Sequence, residues 1–119
     1  MAAARSGLFR RVQALFDEHD LIVTPTVSAP PPPYDHGQDE PMTINGEVAG
    51  PNRANWYGCT GTFDHTGHPA ISVPMGFAPD GLPAGLHAVG RWFDEQRPID
   101  LATAFETLAP WAQRWPSEP

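Results

Sequence analysis

A chain of 119 residues carrying 14 acidic and 7 basic side chains, net charge −7, can build one small domain and not two. All seven basic residues are arginine and there is no lysine, so the chain offers no positive stripe for a nucleic-acid backbone. The single cysteine, Cys59, excludes an internal disulfide and a four-cysteine zinc site. No apolar run approaches the roughly 18 residues of a membrane span. The expectation is a cytoplasmic protein with no nucleic-acid, membrane or cofactor partner.

Leu8, Val12, Leu15, Phe16 and His19 recur at helical spacing between polar residues, which predicts an amphipathic helix over residues 4–19. Leu21 to Thr24, stopped by Pro25, reads as a buried strand over 21–24. A proline-rich loop follows over 25–55. Pro30 to Pro33 favour polyproline II, and Asn45-Gly46 is a tight-turn signal. Asn55 to Phe63 suits a short helix with Trp56, Thr60 and Phe63 on one face, weakened by Gly58 and Gly61. Strands are predicted over 70–73, closed by Pro74, and over 86–89. A last helix spans 98–109, with Pro98 in its first turn and Leu101, Phe105 and Leu108 as its stripe. The tail from Trp111 to Pro119 should fray. The expected class is α/β: a partial mixed β-sheet flanked by helices. Its continuously apolar strands want more cover than this chain supplies.

Two stretches carry a resemblance. The first is Phe16-Asp17-Glu18-His19-Asp20-Leu21-Ile22-Val23-Thr24-Pro25-Thr26. The second runs from Phe63 through Thr66-Gly67-His68-Pro69-Ala70-Ile71-Ser72-Val73-Pro74 to Gly81-Leu82-Pro83-Ala84-Gly85-Leu86 and Arg91. In this order they resemble the C-terminal part of the amidase signature family. There an aspartate precedes an apolar strand ending in Pro-Thr; a Thr-Gly-x-Pro-Ala strand, a Gly-Leu-Pro-x-Gly-Leu strand and a closing helix follow. One departure is Asp64, where the family commonly has asparagine. An acid buried at that position would disturb the local hydrogen bonding.

The resemblance implies that the whole of residues 1–119 is the C-terminal segment of an amidase domain. The family hydrolyses C–N amide bonds with a serine nucleophile, a second serine in a cis peptide and a lysine base, all in its N-terminal half. A hydroxyl needs such a base to attack an amide carbonyl. Here the serines are Ser6, Ser28, Ser72 and Ser117, none adjacent to another, and lysine is absent. The resemblance therefore implies no catalytic residue in this chain, and inactivity on its own. Its partners would be the missing N-terminal portion or another copy of the chain, with a small-molecule amide as substrate of the full enzyme. The segment before the Thr-Gly-x-Pro-Ala strand borders the acyl pocket in the resembled enzymes, which makes Trp56, Tyr57 and Gly61 candidate pocket residues. Plain core packing is the competing reading of the two aromatics.

Other chemistry is weaker. Asp64, His65 and His68 are close in sequence, but Gly67 and Pro69 break the helix that would converge them on a metal. Cys59 with His65 lacks an identifiable third group. Pro31-Pro32-Pro33-Tyr34 matches a ligand for proline-recognition modules. It supports an alternative in which the chain is a non-catalytic binder acting through its proline loop or a sheet edge.

Overall fold

The computed structural model describes residues 2–51 and 55–114. The elements are helix α1 (Ala2–Leu15), strands β1 (Ile22–Pro25), β2 (Pro41–Ile44) and β3 (Glu47–Pro51), helix α2 (Gly58–Thr66), strands β4 (Ala70–Phe77) and β5 (Pro83–Val89), and helix α3 (Gln96–Leu108). The α/β class expected from the sequence is found. Within the main sheet, ordered β1-β5-β4, both pairings are antiparallel rather than mixed. β2 and β3 form a separate hairpin.

The boundaries differ from the predicted ones for physical reasons. α1 ends at Leu15 and not at residue 19, because the chain tightens there. The amides of Phe16, Asp17 and Glu18 bond to carbonyls three residues back, the shorter spacing common at helix ends. β1 runs through Pro25. The neighbouring Thr26 amide bonds to the Gly85 carbonyl at 2.9 Å, so alternation turns Pro25 to the open edge, where its missing N–H costs no ladder bond. Pro74 likewise fails to stop β4. It faces outward on an edge strand, and an irregularity between Pro74 and Gly76 absorbs the mismatch before pairing resumes at Gly76 and Phe77. β5 is longer to match.

The proline-rich excursion is not structureless. Asn45 and Gly46 have φ of 52° and 84°, and two positive values in a two-residue connection give the turn that suits strand twist. The resulting β2–β3 hairpin buries Met42. Beyond residue 114 the predicted frayed tail lies outside the described residues.

Side-chain alternation divides the sheet into two faces. Ile22, Thr24, Ser72, His87 and Val89 share one; α1 and α2 cover its Ile22, His87 and Val89 end, while Ser72 stays exposed. Val12, Phe16, Phe63 and Val89 form its buried cluster, with Leu8 and Ile22 against it. Leu15, predicted on the same stripe, is 47% exposed. α3 packs against β4 and β5, and Val73 and Ala88, which alternate to the other face, are buried. Pro98 is the buried anchor of α3, and Leu101, Ala102 and Phe105 are half-buried above it. Leu108, predicted in that stripe, is exposed.

Long-range polar contacts hold the ends. The Arg91 guanidinium donates to the Phe16 carbonyl and lies 3.8 Å from Asp17. Arg97 pairs with Asp20 at 3.1 Å and Asp94 at 3.7 Å. The aspartate that precedes β1 therefore ties that strand to the start of α3. These ion pairs are exposed, which limits each to under about 1 kcal/mol.

Candidate functional site

The loop leaving β1 is stitched to the start of α2. The Ser28 amide bonds to the Trp56 carbonyl at 3.0 Å, and the Trp56 indole N–H donates to the Ala29 carbonyl at 2.8 Å. Ser28 Oγ lies 3.9 Å from Cys59 Sγ. Gly58 permits this closeness, since a Cβ there would sit 3.3 Å from Ser28 Oγ. The three candidate pocket residues accordingly separate. Trp56 is half-buried and engaged with the loop. Tyr57 and Gly61 stand four residues apart, joined by the Gly61 amide bonding to the Tyr57 carbonyl at 3.0 Å, on one side of the helix start. Tyr57 is 47% exposed, and a Cβ built at Gly61 meets nothing within 4 Å. An aromatic ring beside an empty helical position makes an open, mainly apolar surface.

Beneath the loop runs a polar seam that sequence reading missed. Thr24 Oγ1 and His87 Nδ1 are 3.1 Å apart; Thr26 Oγ1 and Ser72 Oγ are 2.6 Å apart. The second pair crosses directly over Gly85, where a Cβ would fall 2.5 Å from Thr26 Oγ1 and 3.0 Å from Ser72 Oγ. Gly85 is thus the residue that lets two hydroxyls from flanking strands meet. Alternation in each strand predicts that Thr24, Ser72 and His87 share a face. The signal becomes visible only when the register is known.

Among the described residues the seam pairs hydroxyl with hydroxyl and threonine with histidine. Ser72 and Ser28 contact a threonine and the cysteine, and no described serine contacts a base. The base-like ring, His87, faces Thr24, a residue inside a strand whose amide belongs to the sheet ladder and offers no oxyanion donor. Burial lowers the His87 pKa, with Asp64 opposing the effect, and the ring packs 5.4 Å from Phe63. It serves as a neutral packing group.

His68 behaves alike. It is buried, stacked between Phe9 and Phe16 at 5.2 and 5.5 Å, with Nε2 3.0 Å from Gln13 Oε1 and Nδ1 2.9 Å from Thr66 Oγ1. Its pKa is lowered by burial. Both ring nitrogens are occupied, whereas Asp64 and His65 lie exposed on α2. Among the described residues no group of three or more His, Cys, Asp or Glu could hold a metal ion. Because Asp64 faces solvent, the acid in place of asparagine leaves no buried charge. Likewise, no helix among the described residues is long and apolar enough to cross a membrane.

Comparison with known proteins decides the family. The model of the Amidase family matches residues 1–98. The chain belongs to the amidase family. A glutamyl-tRNA(Gln) amidotransferase subunit of Brevibacillus brevis is 33% identical over 112 residues, which cover 94% of this chain and 21% of that protein. A bacterial aryl acylamidase of the amidase signature family superposes with a TM-score of 0.78 at 35% identity, over 92% of this chain and 22% of that one. A 6-aminohexanoate cyclic dimer hydrolase, solved with its substrate, gives a TM-score of 0.73 at 28% identity, over 92% and 23%. The chain thus spans between about a fifth and a quarter of the length of these amidase relatives.

Proposed function

We propose that this chain is the C-terminal segment of an amidase-type hydrolase acting on C–N amide bonds, and that it supplies scaffold and one wall of the substrate pocket. The observation that carries the reading is the family match over residues 1–98 in a chain spanning about a quarter or less of its relatives. Tyr57 and the open position beside Gly61 are the proposed wall. The serine and lysine apparatus lies outside this sequence, in the N-terminal portion that would be its partner. Without lysine, and with no described serine beside a base, the chain alone hydrolyses no amide.

The test is an anilide-hydrolysis assay on the 119-residue chain alone and on a full-length amidase carrying it. The chain alone should give no turnover above background, and the full-length protein should be active. In the latter, Tyr57→Ala should change kcat/KM among acyl groups of different size by about tenfold, as expected when one apolar contact is removed. Robust turnover by the isolated chain, abolished by Cys59→Ala, would overturn the proposal.

One observation favours a second reading. Tyr34, at the end of Pro31-Pro32-Pro33, is fully exposed in a turn closed by the His36 amide on the Pro33 carbonyl at 3.0 Å. This presents a Pro-Pro-x-Tyr ligand to a proline-recognition module. Titration with such a module, lost in Tyr34→Ala, would support it.

A further inference from the structure

At the turn end of β4 and β5, where the segment after α3 crosses, the surface opens into a cleft of about 400 Å³. That volume falls in the range of small-molecule pockets, about 300–1,000 Å³. Met75, Phe77, Leu82, Pro83 and Trp111 line it, with Arg114 at its edge. Three of these side chains leave much of their apolar surface in water: Met75 is 51%, Phe77 53% and Leu82 41% exposed. The backbone holds the trough open. The Ala78 amide bonds to the Leu82 carbonyl, and the Gly81 amide to the Ala78 carbonyl. The Leu82 amide bonds to Asp80 Oδ1. The turn that carries Leu82 is therefore fixed.

Arg114 gives the cleft its chemical direction. Its guanidinium carbon sits 5.9 Å from the centre of the Phe77 ring, a cation–π arrangement. Among the described residues it enters no ion pair, whereas Arg91 and Arg97 are both matched to aspartates. In a chain of net charge −7, a cation held at the lip of an apolar trough marks the place where an anion can dock. A guanidinium stacked on a ring keeps its N–H edge free for two parallel bonds to a carboxylate.

We propose that this cleft binds a hydrophobic monocarboxylate, its hydrocarbon body on Met75, Phe77, Leu82 and Trp111 and its carboxylate on Arg114. The apolar wall gives affinity and the single guanidinium sets polarity. No residue of the loop–α2 site or of the polar seam lines this cleft.

The test is calorimetric titration of the full 119-residue chain with 4-phenylbutanoate and with 4-phenylbutan-1-ol, which share a body and differ in the head group. The acid should bind with the alcohol about tenfold weaker, the usual scale of a hydrogen bond to a charged group. Arg114→Gln should bring the acid down to the affinity of the alcohol. Leu82→Asp, which puts a like charge into the trough, should remove binding while circular dichroism stays unchanged. Equal affinity for acid and alcohol, or an Arg114→Gln chain that binds the acid as before, would overturn the proposal. So would absence of binding at millimolar ligand. Concentration-dependent association abolished by Leu82→Asp, with no response to the acid, would show that a second copy occupies the cleft, and would overturn it as well.

Discussion

The two sides of the β1-β5-β4 sheet are finished to different degrees. On the α1–α2 side, Val12, Phe16, Phe63 and Val89 are buried together, and the two histidines there have partners inside the chain. On the α3 side, Val73 and Ala88 are buried, yet Val23 is half exposed, and Met75, Phe77 and Leu82 stand open at the turn end. Large-to-small changes should therefore be costly on the first side and nearly silent at the open end of the second. That contrast teaches which side of the sheet is closed by the chain's own residues and which end is left open.

The largest effect should come from Phe16→Ala. Its ring is 3% exposed, stacks on His68 and belongs to the central cluster. Loss of a core phenylalanine costs about 3–5 kcal/mol, a large share of the stability of any domain this small. Urea unfolding should show the midpoint collapse or the transition disappear. A change below about 1 kcal/mol, small against that core cost, would mean that the α1–α2 side is not the stable core.

Gly90→Ala should come next. A Cβ there would meet the Asp94 carbonyl oxygen at 2.6 Å and Pro98 ring carbons at 2.9 Å. These are backbone and a fixed ring, so α3 must shift. Overpacking of this kind costs about 1–3 kcal/mol. Thermal melting checks it, and a wild-type melting point would show that α3 does not lie against the end of β5.

Acid should also strike the α1–α2 side. Burial lowers the pKa of both His68 and His87 below 6.5. The unfolded chain takes up protons at about 6.5, before the folded chain does. Stability is therefore full above that pH and falls as pH drops from about 6.5 toward the lowered folded values. Equilibrium unfolding between about pH 7.5 and 5 should show the decline, and His68→Gln should flatten part of it. A level profile would refute burial of two neutral rings.

Legibility in the sequence followed the same divide. Apolar periodicity and Gly-Pro punctuation located α1, the cores of β1, β4 and β5, and α3, and the ordered motifs gave the family. Strand ends were lost because Pro25 and Pro74 read as stops. They are harmless once each is seen to face an open edge, a fact held in the pairing and not in the local sequence. The Thr26–Ser72 contact over Gly85 was hidden for the same reason, since it joins residues 46 apart. Of the candidate pocket residues, a short helix could be foreseen, but not that Trp56 would bond to Ala29 and leave Tyr57 facing outward.

The smallest effect should come from the open end, and it is the sharpest check on the contrast. Met75→Ser and Leu108→Ser remove apolar side chains that are 51% and 84% exposed. Exposed positions away from special contacts shift stability by under about 0.5 kcal/mol, so unfolding midpoints should hold. Apolar dye binding should nevertheless fall with Met75→Ser, because Met75 lines the cleft, and stay unchanged with Leu108→Ser. A lone exposed leucine offers a dye little surface, whereas a contiguous patch offers a binding site. If both changes reduced dye binding equally, the exposed apolar surface would be diffuse and not gathered at the β4–β5 turn. If Met75→Ser cost as much stability as Phe16→Ala, the two sides of the sheet would be equally complete, and the contrast between them would fail.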